Sequence, residues 1–167
     1  SRDPFLDALI YLGITWWDTG HARASLAALD QAEHLARQIG HAYSLAATLA
    51  FRAALHHFRQ EVGETHRVAR ELMELGDEQD LPVHGGFARL MEAWVGALSG
   101  DTRGLEAAAP VLGTMRHGVG GIEPVVRLWV AELYRCLNYT EEGLEQVTAG
   151  LQAAERLGER RSEPELY

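Results

Sequence analysis

The stretch DPFLDALIYLGITWWDTGHARASLAALDQAEHLARQIG, residues 3–40, decides the fold. It opens on Asp3-Pro4, breaks once at Thr19-Gly20 and closes on Gly40. Proline is favoured in the first helical turn, where its missing N–H would have no partner anyway, and Asp before it is a capping residue. Glycine suits the residue just past a helix end. The stretch therefore predicts two helices, about 4–18 and 21–38, joined by a short polar turn. In the second of these, Leu26, Leu29, Ala32 and Ala36 share one face. Asp30, Glu33 and Arg37 lie on the other, with Glu33 and Arg37 spaced for an i,i+4 pair.

The same punctuation recurs outward from this stretch. Leu81-Pro82, Glu123-Pro124 and Glu163-Pro164 repeat the Pro start at about forty-residue intervals, and Gly40-His41-Ala42 fills the one start without Pro. Polar turns recur at Gln60-Glu61, Ser99-Gly100 and Asn138-Tyr139. Further first (A) helices are predicted over about 43–58, 83–98 and 124–137, and second (B) helices over about 64–77, 102–117 and 141–157. Asp101 and Thr140 are the expected caps of the last two B helices. Pro110 falls inside the third B helix, so an interruption is expected between Ala107 and Leu112. The A helix around Leu45, Leu49, Ala53 and His56 is apolar on a second side as well, at Phe51, Ala54, Leu55 and Phe58, as for a helix between neighbours. The fold class is thus all-α, a single array of about four helix pairs with units near 1–40, 41–80, 81–121 and 122–160. Ser162-Glu163-Pro164-Glu165 reads as a capping box opening a fifth pair. With Ser1 in place of Met, it leads to the expectation that the natural chain is longer.

Composition narrows function. The 167 residues are 47% hydrophobic and 23% charged, with a formal net charge of −9. An acidic surface argues against binding phosphate backbones, and no apolar run approaches the ~18 residues of a membrane span. All fifteen basic residues counted are Arg, so no phosphate-loop, Schiff-base or catalytic Lys exists here. The single Cys136 can form no disulfide within the chain, which suits a cytoplasmic location. His56-His57 project about 100° apart on a helix and no His-Glu-x-x-His occurs, so no metal site and no cofactor are expected. Gly118-Val119-Gly120-Gly121 lacks a Lys and a preceding strand and reads as an inter-repeat turn. No acid–base or nucleophile constellation emerges, so no enzyme is expected.

Leu9, Leu12-Gly13 and Trp16, followed by Ser25, Leu29 and Ala32, resemble a tetratricopeptide repeat. Val130-Ala131 and Tyr134, followed by Gly143, Val147 and Gly150, are similar. The middle units depart from that pattern, with Arg52-Ala53 and Glu92-Ala93 where Leu-Gly would stand, and the period near forty exceeds the usual ~34. Residues 36–47 (ARQIGHAYSLAA) and 155–167 (ERLGERRSEPELY) look like the repeat region C-terminal to the nucleotide-binding module of large bacterial signalling ATPases, linked to cyclase or transcription-regulator domains. The resemblance implies a right-handed superhelix. It also implies a non-catalytic protein-interaction and regulatory module, whose partner is a protein or peptide or the parent's own catalytic domains. The alternative is a small-molecule effector sensor. Trp17, Asp18, Arg52, His57, Arg89 and Arg127 are the A-helix residues expected on the concave side, Arg89 and Arg127 as a local positive patch. Self-association is expected only through the 124–167 end, by exposure of Val130, of Leu133 or Leu137, and of Leu144 or Leu151.

Overall fold

A computed structural model describes residues 3–115 and 122–158. Those residues form helices α1 (Pro4–Asp18), α2 (Ala22–Ile39), α3 (Ala42–Phe58), α4 (Val62–Glu78), α5 (Pro82–Ala97), α6 (Ala108–Met115), α7 (Glu123–Cys136) and α8 (Thr140–Leu157). A 3-10 segment, Arg103–Ala107, precedes α6, and no strand occurs among the described residues. None of the described helices is long and apolar enough to cross a membrane. The Gly118–Gly121 turn and the capping box at Ser162 lie outside the described residues.

One backbone device ends most of these helices. Gly20, Gly40, Gln60, Asp80 and Gly100 all have left-handed φ, between 51° and 82°, and Asn138 and Gly158 follow with φ 63° and 65°. The next residue folds back onto the helix just finished: the N–H of His21 donates to the Trp16 carbonyl (2.7 Å), that of Glu61 to His56 (2.9 Å) and that of Leu81 to Gly76 (2.8 Å). The same residue's carbonyl then accepts from the first turn of the following helix, Ser25 onto His21 (3.0 Å) and Thr65 onto Glu61 (2.9 Å). One residue thus finishes one helix and starts the next. Thr140, expected as a cap, is instead the first residue of α8. Asn138 makes Tyr139 the pivot, and the Gly143 N–H donates to the Tyr139 carbonyl at 3.0 Å. Asp3 does cap α1, accepting from the N–H groups of Phe5 (2.8 Å) and Leu6 (3.2 Å).

The third B element departs from the others. Pro110 has no N–H to donate back to Glu106, so it suits the first turn of an α-helix and not its interior, and it lies third in α6. The chain takes the tighter 3-10 form over Arg103–Ala107 and becomes α-helical only at Ala108. The Asp101 carboxylate accepts from the Arg103 N–H at 3.0 Å and holds the start.

The chain divides into two compact units, Ser1–Ala88 and Arg89–Tyr167. In the first, α1 packs on α2, α3 packs on α1, α2 and α4, and Leu6, Leu9, Ile10, Ala32 and Ala36 form a buried cluster. Ile14, Leu35, Leu45, Ala47 and Phe51 close over it. Helix α3 is enclosed most fully: Ala46, Thr48, Leu49, Ala53, Ala54, Leu55, His56 and His57 are all buried. In the second unit α7 packs on α8 and α6, and the side chains of Trp94, Val126, Val130 and Leu133 are buried. Val130 and Leu133 are fully buried, contrary to the expectation that they are open at the C-terminal end. Of the residues named for that end, Leu144 is exposed, while Leu137 and Leu151 are half-buried.

Within the pairs, small residues set the approach of A and B helices. A methyl placed on Gly13 would meet the Leu29 Cγ at 2.8 Å and the Ser25 carbonyl at 3.4 Å. At Gly143 the approach is looser, and a methyl would sit at ordinary contact distance, 3.5 Å from the Ala131 carbonyl. The corresponding residues of the second pair, Ala53 and Thr65, are buried.

Candidate functional site

In the first unit the ends of α1 and α3 bring four rings together in two pairs. Trp17 stacks on Phe58 at 5.9 Å with an interplanar angle of 14°, and Trp16 meets His21 edge-on at 5.0 Å. The repeat explains the first pair: α1 and α3 pack side by side and end in the same kind of turn. Trp17 and Phe58 are both half-buried, while Asp18 beside them is exposed. His57, expected on the open face, is only 2% exposed and meets Phe58 edge-on at 5.7 Å. Its neighbours on three sides of α3 leave it no route outward, so it supports from behind the shelf that the stacked Trp17 and Phe58 form.

Arg52 lies on the same helix but is engaged sideways. Its Nη1 donates to Asp30 Oδ1 (2.8 Å) and Glu33 Oε2 (2.5 Å) on α2. Glu33 also accepts from Arg37 (2.8 Å), which reaches Glu71 on α4. Burial pushes the Glu33 carboxyl up. The hydrogen bond from Arg37 and the charge of Arg52 outweigh it and hold the carboxyl below its ordinary range. Arg52 thus ties α3 to α2.

The remaining two residues belong to the second unit. Arg89 is exposed on α5. Arg127 on α7 donates to Glu123 Oε1 (2.9 Å) and to Gln146 Oε1 on α8 (2.9 Å), while Arg156 donates to Glu123 Oε2 (2.6 Å). The charge of Arg127 is therefore partly met by a carboxylate on its own helix.

His56 and Glu61 form a His–carboxylate pair, Nδ1 to Oε2 at 2.7 Å. The Arg59 hydrogen bond first, and the His56 hydrogen bond second, hold the Glu61 carboxyl down at about 2. The other nitrogen of His56, Nε2, is buried without a hydrogen-bond partner among the described residues. Among the described residues no group of three or more His, Cys, Asp or Glu side chains is placed to hold a metal ion. Cys136 is half-buried, and burial pushes its thiol up, away from the reactive thiolate.

Phe58 was legible only as part of an apolar stripe. Its stacking on Trp17 depends on α1 and α3 ending level, which helical spacing within α3 does not reveal. The exposed apolar row of α1, containing Phe5, Tyr11 and Leu12, carries no charged side chain that would mark it as a site in the sequence. Comparison with known proteins finds no matching family model, curated protein or solved structure.

Proposed function

We propose that this chain is a protein-interaction and regulatory module, non-catalytic in itself, that works inside a larger cytoplasmic signalling protein. In this reading the helix pairs form a right-handed, tetratricopeptide-like superhelix. The partner is a protein or peptide segment, including the parent's own catalytic domains. The observation that carries the reading is the Trp17–Phe58 stack with exposed Asp18 at its edge. Half-buried aromatic rings give large contact area at low conformational cost, and such anchors dominate binding energy at interfaces.

A photo-crosslinking residue at position 18 of the natural polypeptide tests this in its native cells, with position 74 on exposed α4 as the control. The expected result is a protein adduct from position 18, absent from position 74 and lost on Trp17→Ala. Equal adducts from both positions, or none, would refute the shelf as an interaction site.

A further inference from the structure

Helix α1 exposes an apolar row. Phe5 is 65% exposed, Tyr11 62% and Leu12 44%, and Ala8 between them is exposed as well. The turns repeat every twenty residues, so each of these positions has a counterpart forty residues on, in α3: Leu45, Thr48, Phe51 and Arg52. Those counterparts are covered. Leu45 and Phe51 pack against the cluster of Leu6, Leu9, Ile10, Ala32 and Ala36, Thr48 is fully buried, and Arg52 reaches Asp30 and Glu33 of α2. The face that α3 inserts into the preceding pair is the face that α1 leaves open.

We infer that a further helix pair of the same polypeptide, immediately N-terminal to α1, docks on the row formed by Phe5, Ala8, Tyr11 and Leu12. The geometry of α3 on α2 states what such an occupant looks like: a helix lined with small side chains, as Ala32 and Ala36 line α2. A second copy of the chain is disfavoured on two counts. Four side chains along one helix fall far short of the roughly 20–30 residues a side that a stable interface between chains uses. Helix α1 also carries Asp7 and Asp18 and no basic residue, so two copies of it would set like charges together. A covalently joined helix pair escapes the first limit, because the tether supplies a high effective concentration.

The register is specific enough to test. Arg52 meets Glu33 and Asp30, which precede it by 19 (52 − 33) and 22 (52 − 30) residues. A photo-crosslinking residue replacing Leu12 in the natural polypeptide should therefore form an intramolecular bond to a segment about twenty residues upstream of it. Peptide mapping by mass spectrometry reads the position. In parallel, hydroxyl-radical labelling of Phe5 and Tyr11 should fall several-fold in the natural polypeptide relative to the 167-residue chain, with labelling of Tyr43 on α3 unchanged as the control. A crosslink to a second copy, to a remote segment or to nothing, or equal labelling of Phe5 and Tyr11 in both proteins, overturns the inference. So does a natural polypeptide with no helix pair upstream.

Discussion

Gly104 lies so close to Ala93 that a methyl placed on it would fall 2.4 Å from the Ala93 Cβ and 2.6 Å from its Cα. The Cα is backbone, so no rotamer change relieves the clash. Gly104→Ala should destabilise the protein by about 1–3 kcal/mol, the range for overpacking a tight contact. Gly63, second in α4, has nothing within 4 Å of the same construction. Gly63→Ala should be neutral or stabilising by about 0.5 kcal/mol, because it restricts the unfolded chain. Urea denaturation of the two variants separates the effects; an unchanged or raised stability in both would show that helix propensity, not contact, governs position 104.

The left-handed turn residues make a second, graded prediction. Asp80 (φ 51°), Gln60 (φ 58°) and Asn138 (φ 63°) hold a conformation that L-residues adopt at a penalty of about 1–2 kcal/mol. Replacing each by Gly should stabilise, most at Asp80. Gln60 gains less, because its Nε2 donates to the His57 carbonyl at 3.1 Å and glycine forfeits that bond. Asn138 gains least, since Asn tolerates the conformation best after Gly. Thermal melts of the three single variants give the order directly.

Those turns also show what a single sequence discloses. Helix starts at Pro4, Pro82 and Pro124 were readable because Pro has one favoured place in a helix, and the ends at Gly20, Gly40 and Gly100 because Gly has another. The turn at Asp80 carries no Gly and left only its neighbour Pro82 as a signal. Ala53 and Ala93 looked like departures from the Leu-Gly pattern, yet each remains a small, buried side chain, the property that close packing requires. The site was less legible. A helical wheel gives the direction of Arg52 and His57 but not which directions neighbouring helices occupy, and α3 is touched on three sides. Charge pairing across helices, as from Arg52 to Asp30 and Glu33, has no signature in local spacing.

Acid should report on the turn between α3 and α4. The Glu61 carboxyl is held at about 2, against an ordinary 4.5, by hydrogen bonds from Arg59 and His56. A depressed carboxyl contributes stability that is fully present above pH 4.5 and is lost as pH falls toward 2. Glu61→Gln should therefore be less stable than wild type at pH 7, and the gap should narrow steadily between pH 4.5 and pH 2. The carboxylate is about one-third exposed (33%), so added salt should also narrow the gap at pH 7. A pH-independent difference in denaturation midpoint would assign the effect to lost packing instead.

Arg89 and Arg127 occupy similar places in successive A helices, but their surroundings differ, and so should their mutants. Arg89 is exposed, and removal of an exposed charge changes stability by about 0.5 kcal/mol or less. Arg127 is 16% exposed, and its partner Glu123 11%. Arg127 also bridges to Gln146 on α8, so it joins the two helices of its pair. Arg127→Ala would leave Glu123 largely buried with, among the described residues, the more exposed Arg156 to meet its charge. That loss should destabilise by about 1–3 kcal/mol, below the 3–5 of a fully buried pair because Arg156 remains. Arg127→Met, which keeps the volume, should recover part of the packing but none of the charge. Arg127→Ala and Glu123→Gln should be non-additive when combined, since both remove the same contact. Equal small effects of Arg89→Ala and Arg127→Ala would show that Arg127 is held loosely enough to serve as half of a surface patch after all.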